Sequence, residues 1–254
     1  MKKGKQRSII AIIAMFALAF MLSSCYSDGL QVTSYIDYNA INAYEVIIDD
    51  NDDVLVLMPK DKDYRYGLIF YVGTFLPPSD YPYIMQALAA QGYLLVIPKV
   101  KNNTAYLSYK SSEAAFDNYP EVSFFVGGHS QGGGAALKRA YEEQDRVLGA
   151  VFYSPLCYNK DTLKDIAMPS LLIEAQNDKV LTTAMKADAR SRMPQEVTQI
   201  MIEGGNHMGY CGSTFPFDGA LAMTKPEMQQ IAVIHTLEFM IDIINAASEA
   251  VVGE

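Results

Sequence analysis

The segment VSFFVGGHSQGGGAALKRAYE, Val122 to Glu142, restricts the possible folds more than any other part of the chain. Five β-prone residues run into a cluster of small ones, and a helix-forming stretch follows at once. Three motifs place a glycine-rich turn between a strand and a helix. A phosphate loop, G-x-x-x-x-G-K-[ST], fails: from Gly127 the spacing reaches Gly132, but Gly133 and Gly134 stand where lysine and a hydroxyl are required. A dinucleotide fingerprint, G-x-G-x-x-G, fits in no register. Gly128-His129-Ser130-Gln131-Gly132 does fit G-x-S-x-G, the sharp turn that holds a serine hydroxyl at the C-terminal edge of a sheet. The backbones on either side of such a turn approach so closely that the flanking positions tolerate little more than hydrogen.

The rest of the chain alternates in a compatible way. Leu68–Val72, Tyr93–Ile97, Val122–Val126, Val147–Tyr153, Ser170–Ala175 and Val197–Ile202 read as strands, most of them continuously apolar. Helices are predicted over Tyr81–Gln91, closed by Gly92, and over Ser111–Asn118, Gly133–Gln144 and Thr182–Arg192. A final helix runs from Thr224, with Glu227 completing a capping box, to about Ala247. Ahead of these, two β-rich runs flank Asp49-Asp-Asn-Asp-Asp53. An EF-hand loop begun there would need glycine and glutamate where Val54 and Lys60 stand, so the knot reads as a solvated hairpin turn. Apolar strands alternating with helices predict an α/β fold: a mostly parallel central sheet with helices on both faces. Only about sixteen residues separate the strand ending at Tyr153 from that starting at Ser170, which leaves no room for a sizeable cap domain.

The N-terminus is of another kind. Lys2, Lys3, Lys5 and Arg7 precede an unbroken apolar run of 14 residues, Ile9–Leu22. That is short of the ~20 needed to span a bilayer and fits the hydrophobic region of a signal peptide. Leu22-Ser-Ser-Cys25 resembles the lipobox of bacterial lipoproteins, which implies cleavage before Cys25, lipidation of that cysteine and a lipid-anchored, extracytoplasmic place in a bacterial cell envelope. The expected organisation is a signal peptide over residues 1–24, a tether over 25–42 and one catalytic domain over 43–254. Cleavage takes the net charge from −9 to about −13. An acidic domain without basic clusters excludes nucleic acid as a partner and leaves membrane attachment to the acyl chains. The remaining cysteines, Cys157 and Cys211, are either a disulfide or two buried thiols. No C-x-x-C or closely spaced histidine pair suggests zinc, so neither metal nor cofactor is expected.

A serine hydroxyl is a weak nucleophile until a base takes its proton and a third group orients that base. The chain has three histidines. His129 leaves the backbone beside Ser130 in a different direction. His235 lies within the last helix and reads as a packed helix-edge residue. His207, in Glu203-Gly-Gly-Asn-His207 after the last strand, sits at the edge where catalytic groups gather in open α/β sheets. Asp178, in the turn after Ser170–Ala175, is the expected acid; Glu174, inside that strand, is the competitor. The N–H of Gln131, directly after the serine, and that of Thr74, after the first apolar strand, are the expected oxyanion donors, with Phe75 as the next choice for the second. Phe75, Leu76, Tyr158, Phe215 and Phe217 fall in loops near this edge, as an acyl pocket or as ordinary loop anchors.

The segments GLIFYVG (67–73), LAAQGYLLVIPKV (88–100), GGHSQGG (127–133), EAQNDKV (174–180), IEGGNHMGY (202–210) and FDGALAMTKPEMQQ (217–230) together resemble the small, dienelactone-hydrolase-like branch of the α/β-hydrolases. The likeness spans about residues 45–245. It implies Ser130 as nucleophile, Asp178 as acid and His207 as base, in the serine–acid–histidine order of that fold. Dienelactone hydrolases use cysteine as nucleophile, so the likeness does not extend to their substrate. The expected function is a monomeric serine hydrolase acting on a small ester. An amidase or peptidase with the same triad, and a tethered binding protein on a degenerate hydrolase fold, are the alternatives.

Overall fold

A computed structural model of the chain describes residues 46–60, 64–100, 104–158 and 161–252. The expected signal peptide, Cys25 and the tether lie outside them. Eight strands form one sheet: β1 (Val46–Asp50), β2 (Val54–Pro59), β3 (Tyr66–Tyr71), β4 (Leu94–Pro98), β5 (Ser123–His129), β6 (Val147–Tyr153), β7 (Ser170–Ala175) and β8 (Val197–Ile202). Their order is β1-β2-β4-β3-β5-β6-β7-β8. β1 and β2 form an antiparallel hairpin, β2 runs antiparallel to β4, and every other neighbour is parallel.

Burial follows from this layout. β4 and β7 are buried along their whole length, as strands covered on both faces must be. The edge strand β8 keeps only Ile202 fully buried. Helices α1 (Pro82–Ala90), α2 (Glu113–Asn118), α3 (Gln131–Glu142), α4 (Thr183–Arg190) and α5 (Lys225–Val252) flank the sheet. Phe124 and Phe125 show both layers, because successive side chains of a strand point to opposite faces. Phe124 meets Phe116 of α2 edge-on, and Phe125 meets Phe239 of α5. α5 is long and apolar enough to cross a bilayer by length and composition alone. Its Met228, Ala232, Val233, Phe239 and Met240 are nevertheless buried in the core.

Local chemistry sets the element ends. The Thr224 N–H donates to Glu227 Oε2 at 2.7 Å and the Glu227 N–H to Thr224 Oγ1 at 3.4 Å, which is the capping box the sequence predicts. Thr182 Oγ1 caps α4 by accepting from the Met185 N–H. In the β1–β2 turn Asn51 Oδ1 accepts from the N–H groups of Asp53 and Val54. No helix or strand forms between β6 and β7 among the described residues, so no large cap covers the sheet. Cys157 and Cys211 are two free, buried thiols, not a disulfide. Burial pushes the Cys157 thiol up to about 12.

Candidate active site

The parallel strands β3, β5, β6, β7 and β8 end on one rim, and the loops leaving them carry the candidate residues. At the end of β5 the chain reverses within one residue. Ser130 has φ 54° and ψ −122°, outside the regions open to L-residues at low energy. Such a conformation costs about 1–3 kcal/mol and persists only where the surroundings over-determine it. They do so here: the Ser130 N–H donates to the Tyr153 carbonyl at 3.0 Å, and the Ser130 carbonyl accepts from the N–H groups of Leu156 and Gly133. The flanking glycines are obligatory. A Cβ on Gly128 would lie 2.4 Å from the Gly132 carbonyl, and one on Gly132 would lie 2.1 Å from the Tyr71 carbonyl oxygen. Side chains there would force the strand, the turn and the helix apart.

The loop expected to supply the second oxyanion donor leaves β3. The Leu76 N–H donates to the Gly73 carbonyl at 3.2 Å, closing a turn whose third residue, Phe75, has φ 61°. A left-handed residue in that position is the mark of a type II turn, where glycine or asparagine is usual. The Gly73 N–H donates to the Tyr81 hydroxyl at 2.9 Å. The backbone N–H groups of Thr74 and Gln131 have no hydrogen-bond partner among the described residues. Gln131 opens α3, so its N–H also lies at the positive end of the helix dipole. Its side-chain amide donates to the Tyr158 hydroxyl. Leu76 is buried, Phe215 and Phe217 pack edge to face, and Phe217 is 68 % exposed.

Asp178 and His207 form a buried pair. His207 Nδ1 lies 2.9 Å from Asp178 Oδ2. Asp178 Oδ1 accepts from the N–H groups of Val180 and Leu181 at 2.9 and 3.0 Å. Burial works against ionisation of Asp178, but the His207 ring and the Leu181 N–H outweigh it and hold the carboxyl below its usual value. An ionised acceptor keeps the imidazole proton on Nδ1 and leaves the Nε2 lone pair free for a second proton. No hydrogen bond joins Ser130 Oγ to His207 among the described residues; such contacts are commonly loose before substrate is bound. The other candidates are engaged elsewhere. Glu174 pairs with Arg190 at 2.7 Å, and His235 lies 3.0 Å from Glu238 on α5.

His129 has a place that its sequence position does not reveal. Its ring is fully buried, 4.7 Å from the centre of the His207 ring, so the elbow packs directly on the Asp178–His207 pair. Its Nδ1 is 2.8 Å from the Tyr81 hydroxyl. That hydroxyl also accepts from the Gly73 N–H, so one oxygen bridges the turn and the imidazole. Burial and the neighbouring His207 push the His129 pKa well below 6.5. The elbow and the turn after β3 are therefore joined through Tyr81. Among the described residues no group of three or more His, Cys, Asp or Glu side chains is placed to hold a metal ion.

This arrangement of sheet, elbow and acid–histidine pair is that of an α/β hydrolase. The chain matches the alpha/beta hydrolase family over residues 67–230, well over half its length, and it belongs to that family. No curated protein sequence matches it significantly. Among solved structures, Est1E from Butyrivibrio proteoclasticus superposes with a TM-score of 0.55 at 13 % identity, over 78 % of this chain and 99 % of that one. At that identity the likeness speaks for the fold alone.

Proposed function

We propose that this chain is a serine hydrolase that cleaves carboxylic esters through an acyl-enzyme on Ser130. One observation carries the reading: a strained serine at the end of β5 packs, through its neighbour His129, on a buried histidine whose Nδ1 is committed to an aspartate. Backbone strain of this kind clusters at functional sites, and a serine beside a histidine oriented by a carboxylate is what nucleophilic catalysis needs.

In the proposed cycle His207 Nε2 takes the Ser130 proton as Oγ attacks the ester carbonyl carbon. The carbonyl oxygen becomes an oxyanion facing the N–H groups of Gln131 and Thr74. The intermediate collapses, the leaving alkoxide takes the proton from His207, and the acyl group stays on Oγ. A water molecule, deprotonated by His207, then attacks the acyl carbon. His207 returns that proton to Ser130 as the carboxylic acid departs, and the acid later loses its own proton to solvent. Asp178 holds the ring and stabilises the imidazolium without itself taking up the proton. Losing one oxyanion donor from such a site costs on the order of a hundredfold in turnover.

A fluorophosphonate probe tests the reading. The purified domain is expected to label at Ser130, and Ser130→Ala and His207→Ala are expected to abolish labelling. A folded domain that takes no probe would point instead to a binding protein. Comparing a p-nitrophenyl ester with the matching anilide separates an esterase from an amidase. For the N-terminus the proposal is a lipoprotein of the bacterial cell envelope anchored through Cys25, supported by the basic, apolar and Leu-Ser-Ser-Cys succession of residues 2–25. Incorporation of radioactive palmitate that is lost in Cys25→Ala checks it.

A further inference from the structure

Residues 215–222 form a strap that touches both loops of the acid–histidine pair, and Asp218 is its centre. The ladder between β7 and β8 ends at Ala175↔Ile202, well short of Asp178 and His207. Just beyond it the two loops are still joined by the Gln176 N–H to the Ile202 carbonyl, the Asn177 N–H to the Gly205 carbonyl and the Gly204 N–H to Gln176 Oε1. Past Asn177 and Gly205 no backbone bond joins them directly among the described residues. Asp218 supplies a replacement. Its Oδ2 accepts the N–H of Met208, the residue after the base, at 2.9 Å. Its Oδ1 accepts the N–H of Lys179, the residue after the acid, at 3.2 Å, and that of Gly219 at 2.7 Å.

The strap is itself fastened to the same two loops. The Asn206 side-chain amide donates to the Gly219 carbonyl at 2.7 Å, and that of Asn177 donates to the Ala220 carbonyl at 2.9 Å. The Ala222 N–H donates to the Gly204 carbonyl at 2.9 Å. At Gly219 the fit leaves no space: a Cβ there would lie 1.6 Å from the Asn177 carbonyl oxygen. Every one of these bonds ends within three residues of Asp178 or His207.

We infer that Asp218 is a positioning residue: one carboxylate spans the backbone after the acid and the backbone after the base, and so fixes the Asp178–His207 hydrogen bond. The claim rests on the reading of that pair as catalytic. Bonds from N–H groups to an ionised carboxylate are shorter and stronger than neutral ones, which suits a carboxylate to this task. A catalytic constellation must be held within about 0.5 Å of its working geometry. A displacement of about 1 Å, caused far from the reacting atoms, can cost on the order of a hundredfold in rate.

The test compares wild type, Asp218→Ala and Asp218→Asn by two readouts. The first is the rate constant of fluorophosphonate labelling per titratable serine, so that misfolded protein does not count. The second is the low-field proton NMR resonance of the His207 Nδ1–H, which needs no activity. Asp218→Ala is expected to lower the per-site rate about 10- to 100-fold and to broaden or remove the resonance. Ester KM should stay within about twofold while kcat falls, because the strap is not proposed to touch substrate. Asp218→Asn, which is isosteric and keeps one acceptor oxygen, should fall between the two and serves if the alanine variant does not fold. A wild-type rate per labelled site, with only the number of sites reduced, would make Asp218 a merely structural residue and overturn the inference. If wild type takes no probe, the hydrolase reading fails, and the resonance decides alone: unchanged in the variants, it overturns the positioning claim too.

Discussion

Helix α3 begins beside Ser130, a strained serine, with an unpartnered N–H at Gln131 and a buried neutral imidazole at His129. Its last turn carries Arg139, whose side chain is 1 % exposed and ion-paired with Glu113 and Glu143, while its guanidinium lies over the Phe116 ring. Arg146, just past the helix, pairs with the same two glutamates. Both ends obey the helix dipole. The first suits a negative charge that arises only during reaction, and the last holds permanent cations. The difference lies in what is left unspent. At the first end a strained residue and an N–H without a partner among the described residues remain; at the last end charges are paired and packed. Chemistry and stability are thus separated by the length of one helix.

The sharpest way to break this separation is to relieve the strain. Ser130→Gly removes the proposed nucleophile and supplies a residue at ease with positive φ. Activity is expected to fall at least ~10⁴-fold, while urea unfolding shows a gain of about 1 kcal/mol. A loss of stability would mean that the elbow is not strained at the expense of folding. The opposite end should respond in reverse. Arg139→Ala empties a buried site on Phe116 and strips Glu113 and Glu143 of a partner. A cost of about 3 kcal/mol is expected in urea unfolding, with kcat within about twofold of wild type. A large fall in kcat with intact stability would show that the two ends are coupled.

Much of this molecule is legible in its sequence, because the informative signals are local. The elbow announces itself through Gly128 and Gly132, whose missing side chains are a steric necessity. The capping box at Thr224 and the apolar run of β7 are likewise short-range patterns. Asp178 and His207 could be placed at neighbouring strand ends by position and by elimination of rivals. The supports of the pair could not. Asp218 reads as an ordinary Asp-Gly turn, and its partners are backbone N–H groups, which every residue has. Phe75 holds a left-handed turn position that sequence assigns to glycine or asparagine. Tyr81 opens a helix as any aromatic residue might, and its bond to His129 spans 48 positions. Bonds between side chain and backbone across distant loops leave no periodic trace.

The two ends of α3 should also separate by pH, and this is the smallest effect and the finest test. His129 has a folded pKa well below 6.5, so below pH 6.5 the unfolded chain binds a proton that the folded chain refuses. Its contribution is full above 6.5 and is lost as pH falls, at a slope of about 1.4 kcal/mol per pH unit. His129→Gln is expected to remove that slope between pH 6.5 and 5 in a series of urea titrations. Glu113 is lowered from 4.5, chiefly by its hydrogen bond from Arg146, against some burial and with help from Arg139. Its contribution is present above 4.5 and is lost as pH falls through the lowered folded value. The carboxylate is 45 % exposed, so solvent screening keeps the net effect below about 1 kcal/mol. Glu113→Gln should therefore cost a little at pH 7, follow the wild-type slope from 6.5 to 5, and converge on wild type once the pH has fallen through the lowered folded value. If Glu113→Gln alters the slope above pH 5, the titrations of the two ends are linked, and the separation drawn along the helix does not hold.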